Sequence, residues 1–557
     1  MMARRVLLVG ATGTFGSRLA ALLAKHAEVE LILAARGTGA LEALRASLVG
    51  NGARARILVR SFDRLRPPDL SELSPWLVVD AAGPFQGSDY RLAQAAVRHG
   101  AHYVDLADAR DFVAGFPDAL DESARQAGVL AVTAASSTPA LSQAALDHLV
   151  EGWRAIDEIV VAISPGARAP RGLSVIEAIL SYVGQPVRAF RNGTWQIVRG
   201  WSGQRMLYMP GLGWRWGSIC ETPDLDLLAR RFPVRSTALF MAGLELPVMH
   251  HGLTLLSLPV HWGIIRSLRS LARPIRTMAD ALAAFGSDRG GMIVEAIGRD
   301  KQDRPIRARW ALAAEANSGP NTPAAPAAAL IRALLEGREM TRGATACVGL
   351  LDQRDILREL AHLPISTRVD DGLPQSNILF ERLLGNRWAT LPACIKTVHG
   401  GEHQTLSGRA VARSGKNVVA KALRWLQGLP RTGPHDVEVM LNQDNDGEKW
   451  VRRFGNSSFS SRLCDAGPLG LFEERFGPLR FKFDLQPTPN GISWEFCGWS
   501  FGGLALPSRL APRIRAGAED TNGFYRFRVV VSHRLTGLLF AYRGTLIDRP
   551  HFQAPPA

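Results

Sequence analysis

Val6-Leu7-Leu8-Val9 runs directly into Gly10-Ala11-Thr12-Gly13-Thr14-Phe15-Gly16, and an amphipathic stretch follows. A buried strand, a glycine turn and a helix start form the arrangement that cradles a diphosphate. Gly10 permits the tight turn, Gly13 lets the backbone approach a pyrophosphate, and Gly16 lets the helix pack closely on the strand. Thr12, Thr14 and Phe15 fill the loop, where the helix start offers free N–H groups and a positive partial charge. The spacing is G-x-x-G-x-x-G rather than G-x-G-x-x-G, and the plain alternative is a glycine turn without a ligand. At the end of the second apolar run, where NAD sites carry Asp or Glu, this chain has Ala34-Ala35-Arg36. An acid there repels a 2′-phosphate, whereas Arg36 attracts one and can bind it through two hydrogen bonds. The expected cofactor is therefore NADP; a solvated Arg at a strand end is the alternative.

Hydride transfer to a carbonyl or imine needs a proton donor beside the nicotinamide. No Tyr is followed by Lys at the Tyr-x-x-x-Lys spacing, and no Lys occurs between Lys25 and Lys301. Short-chain dehydrogenase chemistry is thereby disfavoured. The catalytic candidates are Tyr103 and Asp105, which alternate onto one face of a fifth strand near the carboxyl edge, where open α/β sheets bind ligands. A hydrogen-bonded structural pair is an equal reading. Ser136-Ser137-Thr138-Pro139 follows the sixth strand and can hold a substrate or cap a helix.

Positioning these residues requires a sheet. Apolar runs at 6–9, 29–35, 55–62, 76–82, 102–107 and 129–135 alternate with helical patterns at 15–26, 38–49, 90–99, 117–127 and 141–150. Such alternation predicts a parallel sheet covered on both faces. After 150 the rhythm changes: a strand at 156–163, a helix at 173–183, and a hairpin turning at Arg191-Asn192-Gly193. Strands at 291–298 and 307–314 pair, 317–326 is a loop, and a helix at 327–335 returns to the first domain. The stretch 363–375, rich in Pro, Asp and Gly, reads as a linker. Strands at 435–441, 449–454, 479–486, 491–498, 525–531 and 537–542 then predict an antiparallel, curved sheet. The fold class is α/β: a Rossmann-type doubly wound parallel sheet (1–150), an inserted α+β substrate or dimerisation domain (151–365), and a β-rich C-terminal domain (366–557).

These residues resemble the saccharopine dehydrogenase-like reductases over about residues 1–360. The loop Gly10–Gly16, the basic Arg36 and the strand His102-Tyr103-Val104-Asp105-Leu106 carry the likeness, and Phe285-Gly286-Ser287-Asp288-Arg289-Gly290-Gly291-Met292 looks like a bacterial subgroup. The resemblance implies NADP binding and hydride transfer, with Asp63 near the adenine and Ala82-Gly83-Pro84-Phe85 close to the nicotinamide ribose. It does not imply saccharopine as substrate. The tail, about 376–548, resembles an uncharacterised domain family found fused to these reductases.

The balance of 66 Lys+Arg against 51 Asp+Glu gives +15. The arginines are scattered, so no nucleic-acid partner is expected. Five cysteines lie far apart without C-x-x-C, against zinc fingers or a disulfide framework. The start, Met-Met-Ala-Arg-Arg, lacks a signal-peptide cleavage pattern, and the expected location is cytoplasmic. The apolar stretch 238–265 carries two prolines and three histidines, which argues against spanning a bilayer. Arg266, Arg269, Arg273 and Arg276 follow at helical spacing. Peripheral contact with the inner face of a membrane is one reading; a buried helical hairpin or homodimer interface is the plainer one. His399-Gly400-Gly401-Glu402-His403 matches H-x-x-E-H, but glycines are poor helix formers and no third ligand is evident, so no metal is expected. The aromatic-rich tail reads as core, or as a pocket for an apolar ligand. The expected function is NADP-dependent oxidation or reduction of a small-molecule substrate; the alternative is a non-catalytic NADP-binding scaffold or redox sensor.

Overall fold

The structure is a computed structural model, and it describes residues 3–170, 172–374, 378–444, 447–466, 470–502, 504–506 and 511–548. The chain forms two compact units, Met1–Gly372 and Leu373–Ala557.

In the first unit, β1 (Arg4–Val9), β2 (Val29–Ala35), β3 (Arg56–Ser61), β4 (Leu77–Asp80), β5 (His102–Asp105) and β6 (Leu130–Thr133) pair in parallel. The helices α1 (Gly16–Leu23), α2 (Thr38–Gly50), α3 (Arg91–Arg98), α4 (Arg110–Gln126) and α5 (Ser142–Leu149) connect and cover them. Val6, Leu7 and Leu8 are wholly buried, as a strand covered on both faces requires. The helix expected at 117–127 begins seven residues earlier, at Arg110, with Pro117 in its interior. Phe112, Val113 and Phe116 bury on that first half, and their packing outweighs the bond that Pro117 cannot donate.

The middle region supplies β7 (Ala155–Ser164), α6 (Leu173–Tyr182), β8 (Pro186–Arg191), β9 (Thr194–Arg199), β10 (Arg205–Met209), β11 (Gly213–Ile219), α7 (Asp224–Arg231), β12 (Val234–Ala242), α8 (Pro247–His261), α9 (Ala272–Leu282), β13 (Gly290–Arg299) and β14 (Pro305–Ala314). Asn192 and Gly193 turn the β8–β9 hairpin with φ of 50° and 75°, the left-handed pair such a turn needs. The stretch 317–326 is partly helical: a short 3₁₀ turn, Gly319–Ala324, leads into α10 (Ala325–Leu335). This helix is almost wholly buried and packs against α1. A strand missed in the sequence, β15 (Gly343–Ala346), then pairs with β6. The parallel sheet thus runs β3-β2-β1-β4-β5-β6-β15 among the described residues. The expected linker at 363–375 is instead β16 (Ile365–Pro374), the edge of the mixed sheet β10-β11-β12-β7-β13-β14-β16; Gln375 lies outside the described residues.

The second unit is antiparallel. The six expected strands form, and His403–Ser414, Ser457–Asp465, Leu471–Phe476 and Arg513–Thr521 join them. Pairing of Leu479–Thr488 with Gly491–Phe501 closes ten strands into a barrel among the described residues, with Leu504–Ala505 attached outside.

Candidate functional site

β1 delivers the chain into a turn that only glycine can make. Gly10 has φ +77°, and a Cβ there would lie 2.7 Å from the backbone of Ala81 and Ala82. A Cβ on Gly16 would lie 2.1 Å from the Gly10 carbonyl oxygen. The Gly13 N–H donates to that same oxygen at 2.9 Å. The loop is therefore wound tightly onto the start of α1. No side chain caps α1, and no acid sits in its first turn. The Ser17 N–H turns back onto the Gly13 carbonyl at 3.0 Å, and the positive end of the helix is left for an anion. Arg18 donates to the Thr14 carbonyl oxygen and so braces the loop from behind.

Arg36 follows β2, is exposed, and has no carboxylate partner among the described residues. Asp63 is exposed just after β3 and accepts from the Leu65 N–H at 3.0 Å. The segment Ala82-Gly83-Pro84-Phe85 lies against the glycine loop and is held by a residue the sequence did not single out. Arg64 donates to Asp80 Oδ2 at 2.7 Å and to the Ala82 carbonyl at 3.0 Å, and its guanidinium covers the Phe85 ring at 4.5 Å. An Arg one residue after Asp63 and an Asp closing the fourth strand were the available signals.

Tyr103 and Asp105 do share a face of β5, and both are wholly enclosed. The Tyr103 hydroxyl donates to Asp80 Oδ2 at 3.5 Å. Asp105 Oδ1 accepts from the Ala107 N–H, the Thr133 hydroxyl and the Ala134 N–H, all within 2.9 Å. Its Oδ2 has no hydrogen-bond partner. Burial pushes Asp105 up to about 7 against those three donors, with nearby Asp80 adding to the rise. Burial also raises Tyr103 well above the usual phenol range, so it stays protonated. The pair ties the ends of three strands together and does not line the cavity described next.

Beside the loop lies an apolar cavity of about 640 Å³. Thr14, Phe15 and Ser137 line it from the parallel-sheet side, and Ile179, Leu253 and Met292 from the middle region. Thr322 also lines it, with a buried hydroxyl that lacks a hydrogen-bond partner. The block 285–292 forms part of the wall. Glu245 accepts from the Ala167 N–H (2.7 Å), the Ser287 N–H (2.8 Å) and the Ser287 hydroxyl (2.6 Å), and pairs with Arg215 at 3.0 Å. Burial alone would raise the Glu245 carboxyl, but these donors outweigh it and hold it below its ordinary value. Arg110 donates to both oxygens of Asp226 at 2.7 Å, fixing α4 to α7.

The helices over this cavity are buried on one face only. Met249, His250, Leu253 and Val260 are enclosed, whereas Val248, Leu255, Trp262, Ile264, Met278 and Phe285 are between 47% and 80% exposed, and residues 238–242 belong to β12, so the stretch is not a wholly buried helical hairpin. Among the described residues no helix is long and apolar enough to cross a membrane. His399 ends the helix Ala393–His399 while His403 opens a strand, and no group of three metal-binding side chains occurs among the described residues.

Residues 6–132 match the family described as saccharopine dehydrogenase NADP binding domain. Residues 391–546 match a domain of unknown function, DUF4166. The chain thus carries one segment that matches an NADP-binding domain family and another that matches DUF4166. The first match supports a nicotinamide cofactor and the NAD(P)-dependent oxidoreductase class. Among solved structures, saccharopine dehydrogenase (L-Glu forming) from Saccharomyces cerevisiae is 12% identical; the match covers 66% of this chain and 100% of that one, with a TM-score of 0.49. DAP dehydrogenase of C. glutamicum in complex with DAP is 15% identical, covering 65% and 99%, with a TM-score of 0.35. GenD2 from gentamicin A biosynthesis, in complex with NAD, is 14% identical, covering 65% and 92%, with a TM-score of 0.31. A comparison with curated proteins gave no match.

Proposed function

We propose that this protein is an NADP-dependent oxidoreductase acting on a bulky, largely apolar carbonyl or imine compound. The observation that carries the reading is the 640 Å³ apolar cavity that begins at Thr14 and Phe15 of the glycine loop. The loop fits a dinucleotide: its glycines leave no room for Cβ atoms on the inner side, and α1 presents an uncapped, acid-free N-terminus. Gly10, Thr12, Gly13, Thr14, Phe15 and Gly16 would hold the diphosphate, and Arg36 the 2′-phosphate. Asp63 stands on the adenine side, and Ala82 to Phe85, clamped by Arg64, on the ribose side. When bound, the coenzyme supplies or accepts the hydride. The apolar walls exclude water and hold the body of the substrate. Thr14, Ser137, Asp288 and Thr322 carry the polar side chains among the lining residues and are available to orient its reacting oxygen or nitrogen. Tyr103 and Asp105 act in this reading as supports for the strand ends.

Titration of NADPH and NADH against the wild type and Arg36→Ser tests the cofactor. The expected result is at least about a tenfold loss for NADPH, or ~1.4 kcal/mol, with NADH unchanged. Equal effects on both coenzymes would remove the role of Arg36. Turnover, followed by coenzyme absorbance, is expected with long-chain carbonyl compounds, and Gly252→Trp, which fills the cavity, should depress it. Preference for small polar keto acids would overturn the substrate class; coenzyme binding without any turnover would favour a scaffold or sensor.

The exposed apolar side chains of α8, α9 and the loop between them stand beside exposed Arg266, Arg269, Arg273 and Arg276. The same helices line the cavity through Leu253, Ile275 and Met278. An apolar face ringed by cations suits an anionic bilayer surface, from which such a substrate would enter. Co-sedimentation with anionic vesicles at low salt is expected, and Trp262→Ala with Ile264→Ala should abolish it. Dimers in the absence of vesicles, with no co-sedimentation, would assign the face to a second copy instead.

A further inference from the structure

The C-terminal barrel is hollow. A ten-stranded ring is wide enough to leave room inside for one small ligand. Here the inward side chains leave a cavity of about 450 Å³, walled by residues such as Trp450, Phe454, Phe481, Trp494, Phe527 and Leu546. The volume falls within the range of small-molecule sites, whose walls are apolar with a few polar groups.

The polar groups on this wall are unusual for a barrel that only packs against itself. Tyr525 lines the cavity, and its oxygen lies 3.1 Å from His399 Nε2. The His399 ring stacks on Phe380 at 3.8 Å, and its Nδ1 lies 3.5 Å from Glu448 Oε1. His399 and Glu448 are wholly buried, and neither Glu448 oxygen has a hydrogen bond among the described residues. Enclosing a carboxylate, an imidazole and a phenol in line is costly unless the last member has a use. The Tyr525 O–H is free to donate into the cavity when the His399 proton sits on Nε2 and the ring donates to the phenol oxygen; with the proton on Nδ1 the phenol donates to the ring and its oxygen can only accept. A second group points the same way. Trp450, also on the wall and more than nine-tenths buried, has an indole N–H with no acceptor among the described residues. The charges, by contrast, cancel. Arg452 pairs with Glu474 at 3.3 Å, the Ser461 hydroxyl donates to Glu474 at 2.7 Å, and the guanidinium covers the Trp450 ring at 4.5 Å.

We infer that the barrel is a binding site for a neutral, largely apolar molecule with a carbonyl oxygen, which accepts hydrogen bonds from Tyr525 and Trp450 within the aromatic cavity. The neutral Arg452–Glu474 pair offers no net charge to a carboxylate, and a free acid would pay the cost of desolvation unpaired. This inference is independent of the oxidoreductase reading, because it uses only residues of the second unit.

The test uses the full-length chain and prodan, a neutral fluorescent naphthyl ketone. Saturable binding with blue-shifted emission is expected. Ala516→Trp and Val531→Trp each fill the barrel from a different strand, and each should weaken binding about tenfold or more. The barrel variants are compared in the Gly252→Trp background, where the first unit's apolar cavity is filled and prodan held there no longer contributes. Tyr525→Phe should weaken binding severalfold and shift the emission further to the blue, as a lost hydrogen bond to the carbonyl demands. A long-chain fatty acid methyl ester should displace the probe well below the concentration at which the free acid does. Absence of saturable binding overturns the inference, as does binding indifferent to whichever barrel variant retains the native circular dichroism, or binding lost in Gly252→Trp. Displacement by acid and ester at equal concentration overturns the neutrality of the site.

Discussion

Asp105 shows how much a single enclosed oxygen can matter. One carboxylate oxygen takes three hydrogen bonds and the other takes none, and burial raises the group to about 7. The unfolded value is near 3.9, so the folded chain holds this proton more tightly than the unfolded chain does. Its favourable contribution is complete below about pH 4, declines as pH rises, and is lost above about pH 7. Asp224, likewise raised by burial to about 7, has the same sign. Asp105→Asn keeps an oxygen for the three donors and removes the charge. The variant should therefore lose less stability than the wild type between about pH 4 and pH 7, by an amount on the order of a few kcal/mol. Thermal unfolding against pH measures this, and identical slopes would show that Asp105 is ionised at no cost. At Gly16 the constraint is space: Gly16→Ala drives a methyl into the Gly10 carbonyl and should abolish the thermal upshift given by NADPH.

Between elements, the β13–β14 ladder sets Glu295 directly across from Arg309, with Arg307 alongside. Burial alone would raise this carboxyl, but Arg309, Arg307 and Arg205 overcome it and hold Glu295 at about 2. A depressed value stabilises above the unfolded value of about 4.3 and is lost as pH falls toward 2. Glu295→Gln leaves the guanidinium of Arg309 buried without its charge partner. The expected cost at neutral pH is about 3–5 kcal/mol by urea unfolding, shrinking as the pH approaches 2. A pH-independent difference would point to lost packing instead. The early start of α4 belongs to this scale too. Proline fits a helix's first turn, so the sequence put the boundary at Pro117; the burial of Phe112 and Phe116 moved it back about two turns.

The whole molecule has two units with separate cores: clusters on both faces of the parallel sheet and against the mixed sheet in the first, and the apolar interior of the barrel in the second. Calorimetry should resolve two transitions, and NADPH should raise only that of the first unit. At about 100 times Kd the expected gain is ~2.7 kcal/mol. A joint shift of both transitions would mean that the units unfold as one. The sequence alone determined the glycine turn after β1, the succession of the first six strands along the chain and the β character of the tail, because glycine spacing and continuous apolar runs are local signals. It also supplied Arg36, whose place follows from the end of a strand. Only tertiary structure decided the rest. The strands β15 and β16 acquire their meaning by pairing with residues far away in the chain. Arg64 became a clamp because its partners lie 16 to 21 positions on. Both cavities are spaces between distant side chains, and no stretch of sequence encodes a space by itself.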